Sequence, residues 1–111
     1  MSGSNIITGT LDLLVLRILA RGPLHGYAVG RAIREGSAGV LDVEEGVLYP
    51  ALHRLEERRL LKSRWKLSEA KRRAKFYELT RAGERALAAA VSEWDEVTGA
   101  VSAILRGEAT S

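Results

Sequence analysis

The stretch VEEGVLYPALHRLEERRL, Val43 to Leu60, decides how the rest of the chain is read. Leu48, Leu52 and Leu55, with Ala51 alongside, recur at the spacing that lines one face of an α-helix. About 180° away, at about 100° per residue, fall Gly46, Tyr49, Pro50, His53 and Glu57. One face is built for a core and the other for display. Pro50 cannot donate to the Gly46 carbonyl and its ring crowds that position, so it is expected near the helix start, with a distorted first turn.

Directly after this helix, Leu61 to Leu67 and Phe76 to Leu79 are short runs with β-type residues, Trp65, Phe76 and Tyr77 among them, joined by the polar SEAKRRA. They predict a hairpin with a mobile basic tip, with Trp65 in the core or packed on the hairpin. From Lys62 to Lys75 there are seven basic residues and one acid, Glu69, a local charge of +6 in a chain whose net charge is +3. The remainder is therefore mildly acidic. Such a tract fits a phosphate-binding element, because neutralised phosphates release condensed counterions. A merely solvated hairpin is the alternative.

Upstream, Gly26 to Glu35 reads as a short helix with Ala28, Val29, Ala32 and Ile33 inward and Arg31 and Arg34 outward, broken by Gly36 to Gly39. Thr10 to Arg21 reads as another, with Leu11, Leu14, Val15, Ile18 and Leu19 on one face and Gly22-Pro23 as its stop. Leu13, Leu16 and Ala20 make a second apolar face, which requires burial on more than one side. In a chain of 111 residues that second cover is expected from another subunit.

Downstream, Thr80 is the expected N-cap of a long helix, with Glu84 favouring its dipole. From Arg81 to Arg106 it runs about 39 Å at 1.5 Å per residue, more than the domain beneath it needs. Leu87, Val91, Trp94, Thr98, Val101 and Leu105 form a heptad-like seam, and Ala86, Ala90, Val97 and Ile104 a second stripe. Two stripes exceed what one small domain covers, so a partner helix from an identical chain is expected. The last residues, Gly107 to Ser111, are expected to fray.

With 46% apolar and 28% charged residues, the composition fits one soluble domain, in which residues 1–80, with the basic hairpin, are expected to form the binding region and 81–111 the helix that pairs with another copy. There is no cysteine, hence no disulfide framework, thiolate nucleophile or cysteine zinc site, and a reducing cytoplasm is the expected location. No stretch approaches the ~20 apolar residues of a membrane span, and no export signal is read. His25 and His53 sit on different elements without metal-ligand spacing. No phosphate-cradling glycine loop is present, and Glu56-Glu57 and Asp95-Glu96 are adjacent pairs that diverge by about 100° on a helix. Neither catalysis nor a cofactor is expected.

The order of three helices, basic hairpin and long helix predicts a mainly α fold, a winged helix-turn-helix with a long C-terminal dimerisation helix. The residues LDLLVLRIL, GPLHGYAV, LYPALHRLEERRLL, the hairpin tryptophan and YELTRAGERAL resemble the phenolic-acid-responsive PadR-type regulators, from about Gly9 to Leu105. The single terminal helix resembles the short branch of that family. The resemblance implies a homodimeric transcriptional repressor of double-stranded DNA with a pseudo-palindromic operator, relieved by a small aromatic or drug-like ligand. It puts Tyr49 on the recognition helix at the DNA surface, Tyr27 near the backbone, and Lys71, Arg72 and Arg73 at the wing tip. His53, Arg54, Lys62, Arg64 and Lys75 complete the expected DNA surface, and no membrane contact is expected.

Leu13, Leu16, Leu87, Val91, Trp94, Val97, Val101, Ile104 and Leu105 form the expected dimer interface. Trp94 reads either as a packed interface aromatic or, as drug-sensing members imply, as a stacking surface for flat ligands. The chain departs from the family at Glu44, Glu45, Gly46 and Val47, where members commonly carry Ser or Thr and then Gly-Thr before LYP. Two acids there repel phosphate and Val47 cannot donate a hydrogen bond. These residues support the alternative reading, a winged-helix interaction module that no longer binds DNA.

Overall fold

Apolar positions at helical spacing on three helices converge on one core. The computed structural model describes residues 3–107 and contains α1 (Gly3–Leu19), β1 (Leu24–His25), α2 (Gly26–Gly36), α3 (Glu45–Glu57), β2 (Leu61–Leu67), β3 (Arg73–Leu79) and α4 (Arg81–Arg106). Val15 and Leu19 of α1, Val29 and Ile33 of α2, and Leu48, Ala51, Leu52 and Leu55 of α3 are buried together, closed at the hairpin base by Leu60, Leu61 and Tyr77. Each fully buried Leu, Ile or Val side chain among them contributes about 1.5–3 kcal/mol by leaving water. The fold is a mainly helical winged helix-turn-helix carrying a long terminal helix.

Leu16 corrects an expectation. Instead of facing a second subunit, it is only 3% exposed within the monomer's own core. α1 is gripped by α2, α3 and α4 at once, and its second apolar face is partly consumed inside the chain. The helix also begins at Gly3 rather than Thr10 and ends at Leu19, followed by a turn in which Gly22 adopts φ 144°.

The strand β1 is absent from the sequence expectations, since two residues carry no periodicity. It pairs antiparallel with β3, Leu24 opposite Tyr77 and His25 opposite Phe76, giving a three-stranded sheet in the order β1-β3-β2. His25 then caps α2, its Nδ1 accepting from the Ala28 N–H at 3.2 Å. The recognition-type helix α3 is shorter than the expected Val43 to Leu60. It runs unbroken through Pro50, with a tightened first turn in which the Glu44 carbonyl accepts from both Val47 and Leu48 at 2.9 Å. It stops where Arg59 turns left-handed (φ 63°) and the Leu60 N–H reaches back to the Leu55 carbonyl at 3.0 Å.

The long helix has the expected bounds, and Thr80 caps it by accepting from the Gly83 N–H at 3.0 Å. The same hydroxyl donates toward the Arg59 carbonyl at 2.8 Å. Gly83 is buried, and a Cβ there would collide with the Leu60 carbonyl oxygen. Thr80 and Gly83 thus fasten the start of α4 to the backbone of the turn that joins α3 to β2. Gly107, the first of the residues expected to fray, closes α4 at φ 75°, and the rest of that stretch, 108–111, lies outside the described residues.

Candidate nucleic-acid interface

Strand alternation divides the hairpin's cations between two faces. Leu61, Ser63, Trp65 and Leu67 of β2 lie opposite Leu79, Tyr77, Lys75 and Arg73 of β3 on the face turned to α3. Lys62, Arg64 and Lys66 lie on the other, opposite Glu78, Phe76 and Ala74. β3 begins at Arg73, so part of the expected linker is strand, and the tip shrinks to a turn in which Lys71 adopts φ 61°. Lys71, Arg72 and Arg73 are exposed around that tip, and Lys66 sits 4.4 Å from the centre of the Phe76 ring.

One carboxylate ties this hairpin to α3. Glu56, in the last turn of α3, accepts from the Ser63 hydroxyl of β2 through Oε2 and pairs with Lys75 Nζ of β3 at 3.1 Å through Oε1. The Ser63 hydrogen bond, opposed by burial and reinforced by Lys75, holds the Glu56 carboxyl below the usual carboxylate range. The Glu56 contact in turn raises the Lys75 ammonium above the usual lysine value. Burial raises the Tyr77 hydroxyl beneath them. Lys75, expected among the open DNA-facing cations, is therefore half-buried and engaged as a brace between wing and recognition helix.

Two more of the expected DNA-facing residues are held within the fold. Tyr49 is half-buried, its ring laid on α2 where a Cβ at Gly26 would stand 2.5 Å from Cε1. Burial, with Glu45 adding repulsion, raises its hydroxyl above the ordinary tyrosine value. It packs the helix-turn-helix angle rather than projecting freely from it. Arg54 pairs with Asp12 of α1 at 2.9 Å, a half-exposed bridge worth under about 1 kcal/mol. Lys62 lies 4.0 Å from Glu78 and stays largely exposed, as do His53 and Arg64.

Tyr27 stands exposed on the first turn of α2 with the Arg31 guanidinium 5.9 Å from its ring centre. Arg31 and Arg34 line the α2–α3 cleft together with Asp42, Glu44 and Glu45. The sequence places both arginines outward without a role; the i, i+4 spacing of Tyr27 and Arg31 is the available signal. Trp65, expected in the core or packed on the hairpin, is 58% exposed, and its neighbour is the Arg73 guanidinium at 5.5 Å.

On α4, Val91, Trp94, Val97, Val101, Ile104 and Leu105 are all exposed, Leu105 to 80%. Leu87 differs, being half-buried against the core. Trp94, 42% exposed, lines a cleft of about 440 Å³ between the helices with Thr10 and Leu13 of α1 and Ala90, Glu93 and Val97 of α4. Among the described residues no group of His, Cys, Asp or Glu is placed to hold a metal, and no helix is long and apolar enough to cross a membrane.

A compact helical core presenting one helix beside a basic β-hairpin defines a winged helix-turn-helix regulator. The sequence profile of the Transcriptional regulator PadR-like family matches residues 15–89, and the chain belongs to that family. Its architecture is similar to a transcriptional regulator from Clostridium thermocellum, at 28% identity and a TM-score of 0.80 over 88% of this chain and 95% of that one. It is likewise similar to a PadR family transcriptional regulator from Eggerthella lenta, at 32% identity and a TM-score of 0.76 over 94% of this chain and 89% of that one. A PadR-like transcriptional regulator from Bacillus cereus matches at 26% identity and a TM-score of 0.79, over 94% and 99% of the two chains. This is a family of DNA-binding regulators, not of enzymes.

Proposed function

We propose that the protein is a cytoplasmic, homodimeric, sequence-specific repressor that reads a pseudo-palindromic operator and is released by a flat aromatic ligand. The observation that carries this reading is the Glu56 brace, which joins both strands of the cationic hairpin to α3 so that major-groove and backbone contacts are presented as one rigid unit. Lys62, Arg64, Lys71, Arg72 and Arg73 supply phosphate contacts from the wing, while Tyr27 and His53 stand on the exposed sides of α2 and α3.

The apolar side of α4 supports the dimer. The chain exposes 7858 Å², against about 6,000 Å² for a compact monomer of its mass. That excess per subunit is about twice the ~800 Å² that each partner gives to a standard interface, in the range of larger obligate ones. Pairing through α4 relates two recognition helices by a two-fold axis, and successive major grooves lie about 34 Å apart. Leu13, Val91, Trp94, Val97, Val101, Ile104 and Leu105 form the seam, and Trp94 of both subunits lines the effector slot.

Titration of the upstream region of its own gene with protein at increasing salt tests the core of this reading. Affinity should fall with a log-log slope of several units, at about −0.9 per neutralised phosphate. A flat response rejects it. For the effector, flat aromatic compounds should quench tryptophan emission in the wild type and in Trp65→Phe but not in Trp94→Phe. The exposed Glu44, Glu45 and Val47 favour a second reading, a protein-interaction module. Failure to recover any promoter fragment from sheared genomic DNA would select it.

A further inference from the structure

Trp65 is the largest apolar side chain that the wing leaves in water. It is 58% exposed, and Leu67, two residues on and on the same face, is 65% exposed. Two apolar side chains at this point do nothing for the core, which ends at Tyr77 opposite Ser63, about 7 Å back along the strand at ~3.3 Å per residue. Strand pairing fixes the direction in which they point. Trp65 shares its face with Ser63, Lys75 and Tyr77, and Ser63 and Lys75 are the residues bonded to Glu56 of α3. The indole therefore lies on the recognition-helix side of the wing, beyond the last contact between the two.

Its surroundings select the occupant. The Arg73 guanidinium stands 5.5 Å from the ring, Lys75 is directly opposite, and Lys71 and Arg72 crown the turn. The one acid of the tract is Glu69. An apolar surface framed by cations complements a partner that combines apolar faces with dense negative charge. Duplex DNA offers that combination where deoxyribose walls line the minor groove between phosphates.

We propose that Trp65 is a DNA-contacting residue of the wing, its indole packed on the deoxyribose wall of the minor groove next to the major groove that α3 enters, with Arg73 bridging from the ring to the adjoining phosphate. The proposal rests on the DNA-binding reading above and adds to it an apolar contact. Such a contact adds affinity without releasing counterions, which separates it from every cation of the tract.

The test uses the full chain and a duplex from its own upstream region. Trp65→Ala should weaken binding about tenfold at each salt concentration while leaving the log-log salt slope unchanged. Duplex should quench the emission of the wild type and quench Trp65→Phe much less. Leu67→Ser, on the same face, should give a smaller loss, also with the slope unchanged. Helical circular dichroism equal to the wild type shows that the variants fold. Affinity of Trp65→Ala within twofold of the wild type overturns the proposal, as does a loss accompanied by a shallower slope. Absence of any salt-dependent duplex binding by the wild type overturns the functional reading itself, a different outcome from loss confined to the Trp65 variants.

Discussion

At the scale of single residues, the contacts with least freedom are those made to backbone. Gly83 meets the Leu60 carbonyl so closely that a methyl group forces the start of α4 away from the turn between α3 and β2. Gly83→Ala should destabilise the fold by about 1–3 kcal/mol despite the better helix propensity of alanine, read as a lower denaturation midpoint. Glu56 makes a prediction in pH. Its folded-state pKa is lowered from an ordinary 4.5, so it contributes stability that is fully present above about pH 4.5 and is lost as pH falls through the depressed value. Glu56→Gln should flatten the acid limb of the stability profile below pH 4.5 and leave the neutral region's slope unchanged, as measured by urea midpoints across pH. Both residues are in plain view in the sequence. Neither role is legible there, because each depends on an atom contributed by another element.

At the scale of elements, the hairpin separates a cation engaged within the fold, Lys75, from the exposed cations that the proposed reading assigns to DNA. Replacing Lys71, Arg72 and Arg73 by Ala should weaken binding to all duplexes alike and lower the salt slope by about 0.9 for each phosphate left without its cation. Lys75→Met should leave that slope unchanged, because its ammonium is already neutralised by Glu56 at 3.1 Å. Competition binding over a salt series distinguishes the two variants, and an equal fall in slope for Lys75→Met would mean that the brace opens on DNA. Composition and charge runs locate the tract but cannot divide it. The period of two on β2 and β3 assigns a side to each residue only once the register is known. The same register accounts for Trp65, whose aromatic character fits a core position and whose place beyond the last core pair, Ser63 and Tyr77, puts it in solvent.

At the scale of the whole molecule, α4 is the feature the monomer cannot satisfy. Its bounds and capping threonine are readable from spacing alone, as is its excess of apolar stripes. What spacing cannot divide is the part of that surface already used within the chain: Leu87 packs in part on the core, while Val101, Ile104 and Leu105 remain in water. A charge at Val101, as in Val101→Asp, should split the proposed dimer without unfolding the chain, giving a monomer by sedimentation at micromolar concentration. Operator affinity should then fall about 100-fold or more, since the second half-site loses its tethered partner. The fastening of α4 to the turn after α3 through Thr80 and Gly83 gives a route by which a change at the proposed seam would reach that helix.

Sequence alone determined the succession of helices, the basic hairpin and the long terminal helix, because periodicity, capping residues and charge runs are local and need no knowledge of what packs where. Only the tertiary structure decided that Tyr49 props the angle between α2 and α3, that Lys75 braces the wing, and that Leu16 is core while Trp65 is surface. Those assignments depend on which residues from distant positions compete for the same space and the same charge, and that competition exists only once the chain has closed on itself.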